Sequence, residues 1–133
     1  MGSLWSSSIE VGHAKLDQQR KNLLYLAEVL LDLGNDLQSD PEVFSDTLFE
    51  LAQRAEFHFY QEETFLAGQA YPRLAIQQEA HHRCREYLLS CFNDMARTVV
   101  DRKLVAEITH KLLTEHITEE DVLYRDLNDL DAR

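Results

Sequence analysis

The chain has 133 residues, a length that suits one domain with its own hydrophobic core. Only four glycines and two prolines occur, too few for a turn-rich fold of many strands, and helix-forming residues dominate the rest. Lysine and arginine number 13 and aspartate and glutamate 24, so the net charge of −11 disfavours nucleic acid as a partner.

The predicted elements follow from apolar residues spaced by three, four and seven, which is typical of amphipathic helices. The segment 1–12 is serine-rich and aperiodic, and we expect it to form an N-terminal arm laid across the domain. In chain order the pattern then predicts four helices, at about 14–33, 41–67, 72–97 and 104–117, and a short fifth helix within the tail 119–133. Gly34-Asn35 and Gly68 are the expected stops of the first two helices, and Asp40-Pro41 the expected start of the second.

Four helices of roughly 20 residues joined by short links favour an all-α fold, an up-down-up-down antiparallel four-helix bundle. The bundle would span residues 13–133, after the arm at 1–12. The sequence ends at LDAR in a segment that still has a helical pattern. We therefore expect a further domain beyond residue 133, with this bundle as the sensor of a larger signalling protein.

No segment is suited to a membrane or to export. No apolar run approaches the roughly 20 residues of a bilayer span, and MGSLWSSS lacks the apolar stretch of a signal peptide. Cys84 and Cys91 are seven residues apart on one predicted helix, roughly 10 Å, too far for a disulfide between them. We expect a reduced, cytoplasmic protein without a membrane partner.

Polar side chains interrupt the apolar face of every predicted helix. The residues are Arg20 on the first helix, His58 and Glu62 on the second, Gln77 and His81 on the third, and His116 on the fourth, followed by Asp121. Buried charges are costly unless they are paired or bound to a metal. Imidazole and carboxylate together suit iron, zinc, copper or manganese. The pattern therefore predicts one shared site inside the bundle.

The other histidines have a more ordinary interpretation. A single inward histidine is more often a hydrogen-bonded core residue than a ligand, and only the convergence of several helices reverses that preference. His13, His82 and His110 lie on other faces or at other levels of their helices. We therefore leave them outside the predicted metal site.

The order and spacing of these motifs resemble the hemerythrin family. The matching segments are LDQQR at 16–20, HFYQEE at 58–63, YPRLAIQQEAHH at 71–82 and HITEED at 116–121, and Trp5 and Val11-Gly12 also resemble bacterial members. The resemblance implies a four-helix bundle around two irons, held by five histidines and two bridging carboxylates, with a free position for dioxygen on one iron. The ligands that it implies here are His58, Glu62, His81, His116 and Asp121.

Two positions depart from the family pattern. Arg20 stands where the family has a histidine on the first helix, and Gln77 replaces the first histidine of the third helix. By the resemblance these losses fall on different irons. One iron would keep His81 and His116 with both carboxylates, and the other would keep only His58 with them.

We hypothesise that Arg20 takes over part of the missing metal's role. Its guanidinium is permanently positive and carries several donors. It would pair with Glu62 or Asp121 and occupy the space of the metal that His58 binds in the family. Gln77 is neutral and a poor ligand, so we expect it to form hydrogen bonds.

These inferences predict a sensor domain with non-haem iron, as two irons or one, that responds to dioxygen, nitric oxide or redox state. Its output would lie in an attached domain such as a diguanylate cyclase, so the bundle itself would not be an enzyme, and it could form a homodimer. Ferritin-type bundles carry Glu-x-x-His pairs on their helices. The order here is His58-x-x-x-Glu62, which disfavours an oxidase or a ferritin-type enzyme.

Two alternatives remain open. The bundle could hold haem, with axial ligands from the remaining side chains of suitable chemistry. These candidates are His13, His82, His110, Tyr60, Tyr71 and Cys84. It could also be an interaction module without a cofactor, in which the polar cluster is a buried ion-pair network.

Overall fold

The computed structural model describes residues 13–124, apart from the side chains of Glu120 and Val122. Four long helices occupy most of this range. They are α1 (Ala14–Asn35), α2 (Pro41–Gly68), α3 (Leu74–Met95) and α4 (Arg102–Glu115), followed by a π-helical turn (His116–Glu120) and a short 3-10 helix (Asp121–Tyr124). The predicted all-α four-helix bundle is confirmed. The predicted arm at 1–12, with Trp5 and Val11-Gly12, and residues 125–133 of the predicted fifth helix lie outside the described residues.

Successive helices run antiparallel, and α1 packs against α4 to close the ring. Gly34, near the end of α1, meets the start of α4 at Arg102 and Ala106. Arg20, near the start of α1, reaches Glu62 near the end of α2. The connections between helices have only five or six residues, which suits neighbours that run in opposite directions.

Side-chain caps set where the helices begin. Asp40 accepts the backbone N–H of Glu42 at 2.9 Å and Pro41 occupies the first turn of α2, as predicted. Asp101 accepts the N–H of Leu104 in the same way, so α4 begins at Arg102, two residues before the predicted start. The sequence interpretation missed this second cap.

The ends of two helices differ from the prediction. The third helix was predicted at 72–97, but Pro72 and Arg73 form a turn before it. At its other end the N–H of Arg97 bonds back three residues to Asp94, which closes a tighter turn and ends α3 at Met95. The fourth helix was predicted to reach 117, but its regular α-helical part ends at Glu115.

The first helix ends at Asn35, so the expected stop at Gly34-Asn35 is confirmed. A Cβ atom on Gly34 would lie 2.9 Å from the carbonyl oxygen of Arg102 and 3.0 Å from Cβ of Ala106. The glycine therefore permits a close approach of α1 and α4, and its role is in packing.

The described residues form two apolar clusters in the interior. The larger one draws on all four helices and includes Leu23, Leu48, Phe59 and Leu88. The smaller one contains Leu16, Leu66, Tyr71 and Tyr124. Polar residues of the same helices lie between the clusters, as Arg20 does between Leu16 and Leu23. Within residues 13–124, no helix is long and apolar enough to cross a bilayer.

Candidate metal centre

The seven polar residues predicted from the sequence meet in one layer between the apolar clusters. Six are fully buried, and the side chain of His116 is only 9% exposed. They are Arg20 from α1, His58 and Glu62 from α2, Gln77 and His81 from α3, and His116 and Asp121 from the segment after α4. The structure thus brings the predicted site residues together, and their role as metal ligands stays a prediction.

Glu62 lies at the centre of this layer, and its two oxygens face different partners. Oε1 lies 2.8 Å from Nε2 of His81 and 3.4 Å from Nε2 of His116. Oε2 lies 3.0 Å from Nη1 of Arg20 and accepts a hydrogen bond of 2.6 Å from the hydroxyl of Tyr124. The carboxylate therefore divides the site into a histidine half around Oε1 and a guanidinium half around Oε2.

In the histidine half, four nitrogen and oxygen atoms converge, from His81, His116, Glu62 and Asp121. The Nε2 atoms of His81 and His116 are 3.0 Å apart, and Oδ1 of Asp121 lies 3.0 Å from Nε2 of His116. Oε2 of Glu63 lies 2.7 Å from Nδ1 of His81, so it can accept a hydrogen bond from Nδ1 while Nε2 faces Oε1 of Glu62. A metal ion among these atoms would take the place of the proton on His116 and accept a lone pair from each donor.

His116 and Asp121 face the same half because the chain widens between them. Residues five apart in an α-helix lie about 140° apart around its axis, which would turn one of the two away from the bundle. Here His116–Glu120 forms a π-helical turn, in which the N–H of Asp121 bonds to the carbonyl of His116. The wider turn brings both side chains into the site.

Gln77 and His58 each form one side-chain hydrogen bond within the described part of the chain. Nε2 of Gln77 donates to Oδ1 of Asp121 at 3.1 Å, so the predicted hydrogen bond is present. Nδ1 of His58 lies 2.7 Å from Oε1 of Gln19. Nε2 of His58 points towards Oε2 of Glu62 at 3.4 Å and has no hydrogen bond within the described part of the chain.

Several supporting residues were missed in the sequence. Glu63 orients His81, Gln19 orients His58, and the ring of Phe59 stacks on His81 with 4.0 Å between centroids. Each directly adjoins a predicted site residue within the motifs LDQQR and HFYQEE. That adjacency was the available signal, but it does not show which neighbour turns inward.

Arg20 occupies the guanidinium half. Its Nη1 donates to Oε2 of Glu62 and to the hydroxyl of Tyr124, and lies 3.6 Å from Oδ2 of Asp121. Its Nη2 donates to Asp17 at 2.7 Å. The predicted pairing of Arg20 with a buried carboxylate is confirmed. Tyr124 lies within the predicted fifth helix and was not predicted as a site residue, because its spacing does not show that it packs over the site.

The electrostatic field of the layer strongly favours an ionised Glu62. Burial alone would raise the pKa of Glu62, but His58 and hydrogen bonds from His116 and His81 hold it well below its usual value. Burial alone would lower the pKa of His116, yet Asp121 and Glu62 raise it to about 10. The carboxylates thus stabilise positive charge at His116.

Arg20 has the same dependence on its acidic neighbours. Burial opposes its charge, but Tyr124, Asp121 and Glu62 together raise the pKa of Arg20 above its ordinary value. Burial and the two carboxylates also raise the pKa of Tyr124, so its hydroxyl keeps the proton that it donates to Glu62. Arg20 and protonated His116 thus offset negative charge of the buried carboxylates Glu62 and Asp121.

Within residues 13–124, two groups of donor atoms have the spacing for a metal ion. They are Glu62, His81 and His116, and secondly His58, Glu62 and Asp121, with ligand atoms within 4.8 Å of one another in each group. Metal bonds of about 2.1 Å give donor–donor edges of about 3.0 to 3.4 Å. The separations in the histidine half run from 2.8 to 3.4 Å. These nitrogen and oxygen donors fit iron, manganese or zinc.

Comparison with known proteins agrees with this geometry. No family model matches the chain. A bacteriohemerythrin from Clostridium acetobutylicum is 30% identical to it over 128 residues, which is 92% of this chain and 98% of the relative. The chain belongs to the hemerythrin family. The resemblance inferred from the motifs is therefore confirmed.

The remaining histidines of this hemerythrin domain differ from the site residues in their surroundings. Nδ1 of His13 accepts the N–H of Leu16 at 3.2 Å and caps α1, while its ring packs edge-on against Phe65. His13 therefore has the structural role expected of it. His82 is exposed and His110 half-buried. His82 directly follows His81, so the pair offers a matched comparison between a buried and an exposed histidine.

Proposed function

We propose that this hemerythrin domain binds non-haem iron in a modified centre and senses dioxygen, nitric oxide or redox state. The observation that supports this most is the convergence of His81 and His116 on Oε1 of Glu62, with Asp121 beside them. These four residues would hold the iron, which would supply a position for a diatomic ligand or an electron. Membership of the hemerythrin family favours iron over other metals with the same donor preference.

The surroundings of His81 also support a metal site. A carboxylate on the far nitrogen of a ligating histidine fixes its tautomer and strengthens it as a donor. Glu63 is placed in this way on Nδ1 of His81, while Phe59 covers one face of the ring. The imidazole is therefore held with Nε2 directed at Glu62 and His116.

A cavity of about 170 Å³ beside the histidine half supports a small ligand. Its inner wall includes His116, Phe59 and Leu113, and the charged residues Arg83 and Glu115 lie at its exposed side. A space of this size admits a diatomic molecule or a few waters. The chain's own residues thus provide an approach to His116.

We further propose that the domain regulates an attached output, such as a diguanylate cyclase, and catalyses no reaction itself. Asp121 and Tyr124 contact the centre and belong to the same 3-10 helix, which leads towards the C-terminus. A change of charge at Glu62 would alter the hydrogen bond from Tyr124. The contacts therefore give a physical route from the centre to the segment that follows it.

Iron binding is tested by anaerobic reconstitution of the full chain with ferrous iron, desalting and metal analysis. We expect retained iron, and a change in the absorption spectrum when nitric oxide or dioxygen is added. His81→Ala should lose the iron, whereas His82→Ala should keep it, because only His81 faces Glu62. No iron retained by a folded wild-type chain, or equal loss in both variants, would contradict the proposal.

The two alternatives have distinct outcomes in the same samples. A sharp Soret band after addition of haem, unaffected by His81→Ala, would favour a haem site elsewhere in the bundle. A melting temperature that neither a chelator nor added iron changes would favour a module without a cofactor. Iron retention that depends on His81 contradicts both.

A further inference from the structure

Arg20 lies where the second group of donor atoms would place a metal ion. That group contains His58, Glu62 and Asp121. A metal ion there would need to lie about 2.1 Å from a carboxylate oxygen of Glu62 or Asp121. Nη1 of Arg20 is already 3.0 Å from Oε2 of Glu62 and 3.6 Å from Oδ2 of Asp121. The guanidinium and a second cation therefore compete for the same space and the same oxygens.

We propose that this centre holds a single metal ion, in the histidine half, and that the guanidinium of Arg20 permanently replaces the second. The proposal rests on the proposed function and makes it more specific. Glu62 would then bridge an inorganic cation on Oε1 and an organic cation on Oε2. Asp121 would divide its oxygens in the same way, with Oδ1 towards His116 and Oδ2 towards Arg20.

The guanidinium is fixed too firmly to move aside for a metal. Nη1 donates to Glu62 and to Tyr124, and the Tyr124 hydroxyl donates in turn to the same oxygen of Glu62. These three groups form a closed ring of hydrogen bonds. Nη2 is held separately by Asp17 at 2.7 Å. Displacing Arg20 would leave a permanent charge buried without these partners.

Charge repulsion acts in the same direction as the steric argument. A guanidinium cannot lose its proton in a protein, so its charge persists at every accessible pH. A second divalent cation would lie next to this charge, inside a layer with few anionic groups left to bind it. His58 alone would contribute a neutral donor, through its Nε2. One histidine is a poor ligand set against that repulsion.

The test is the number of metal ions that each variant retains. We compare the wild-type chain with three variants, Arg20→His, Gln77→His and Arg20→Lys. Each is dialysed anaerobically against ferrous iron, and in parallel against cobalt(II), and the number of metal ions per folded chain is measured. We expect one ion in the wild type and two in Arg20→His. The substitution removes the guanidinium and supplies an imidazole that can bind the second ion together with His58. Gln77→His adds a donor to the occupied half, so it should still retain one ion, bound more tightly.

Arg20→Lys is the control for charge, and it should retain one ion because the lysine keeps a cation near Oε2 of Glu62. Helix content from circular dichroism shows that each variant is folded. Electron paramagnetic resonance of the oxidised wild type gives a second measurement that needs no variant. A single ferric ion gives the signal of isolated high-spin iron, whereas an exchange-coupled pair is silent.

The outcomes separate this inference from the function on which it rests. Two coupled irons in the wild type would overturn the single-ion proposal and leave iron binding intact. A folded Arg20→His that retains only one ion would also overturn it. No metal in the wild type would contradict the proposed function itself. One ion in the wild type and two in Arg20→His support the replacement of a metal by Arg20.

Discussion

Arg20 and Glu62 form an ion pair in which neither side chain exposes any surface, with Nη1 and Oε2 3.0 Å apart. Removing one partner of a buried pair leaves the other charge without compensation, so the pair has large effects when broken. The pair also means that Oε2 of Glu62 already accepts hydrogen bonds from Arg20 and Tyr124. By the single-ion proposal, a metal ion would bind the other oxygen, Oε1.

Arg20→Met should destabilise the chelator-treated protein by about 3 to 5 kcal/mol, because Glu62 and Asp121 lose their permanent counter-charge. Urea unfolding followed by circular dichroism measures the change. Arg54→Ala serves as the control, since Arg54 pairs with Glu50 at 3.1 Å but both side chains are 52% exposed. Arg54→Ala should lower the free energy of unfolding by less than about 1 kcal/mol. An equal loss of unfolding free energy in the two variants would show that the buried ion pair contributes no more to stability than the exposed one.

Tyr124→Phe should cost about 1 to 3 kcal/mol, because it removes a buried donor to Glu62 and a partner of Arg20 while keeping the ring. Tyr25→Phe should have almost no effect, since Tyr25 is 62% exposed. Thermal and urea unfolding of both variants provide the comparison. An unchanged free energy of unfolding in Tyr124→Phe would mean that a water molecule replaces the hydroxyl group without loss of stability.

Glu63→Gln should weaken metal binding by roughly 10- to 100-fold, because the carboxylate that fixes the tautomer of His81 is lost. Glu56→Gln is a close control. Glu56 and Glu63 both form ion pairs with Arg85, but Glu63 also contacts His81, at 2.7 Å. Competition with a chelating dye measures the affinity of each variant. Equal weakening by both substitutions would point to Arg85, and not to His81, as the source of the effect.

The pKa of His116 gives the chelator-treated protein a defined pH dependence. Asp121 and Glu62 raise this pKa from 6.5 to about 10, against the effect of burial. The folded state therefore holds a proton that the unfolded chain releases between these values. The resulting stability is fully present below about pH 6.5 and should fall by roughly 1 kcal/mol per pH unit as pH rises towards 10. Urea unfolding of wild type and His116→Gln at pH 6, 7, 8 and 9 isolates this contribution, because the variant should lack the decline.

Gly34→Ala should destabilise the bundle by about 1 to 3 kcal/mol, because its Cβ would press on the backbone of α4. Gly68→Ala is the matched control, since a Cβ there would meet nothing within 4 Å. Alanine also restricts the unfolded chain, so this control should be neutral or stabilising by up to about 1 kcal/mol. Melting temperatures of the two variants should move in opposite directions. Melting temperatures that shift in the same direction in both variants would contradict the packing role of Gly34.

Local patterns in the sequence predicted most of the fold. Apolar spacing located all four helices, and Asp40-Pro41 set the start of α2 correctly. The sequence did not show features that depend on contacts between segments. Gly34 lies at the expected end of α1, but its spacing does not show that it also lets α1 approach α4. Tyr124 resembles an ordinary apolar residue, yet its hydroxyl completes the site.

By itself, the sequence predicted that polar side chains such as Arg20 and Gln77 lie on the inward faces of the helices, among the apolar residues. A side chain's face depends on its position along a regular helix, and a regular period can be read from residue spacing. Tertiary structure alone decided that His116–Glu120 widens into a π-helical turn and that Glu62 divides its oxygens between two partners. These features depend on distances between segments far apart in the chain, and no local period encodes them.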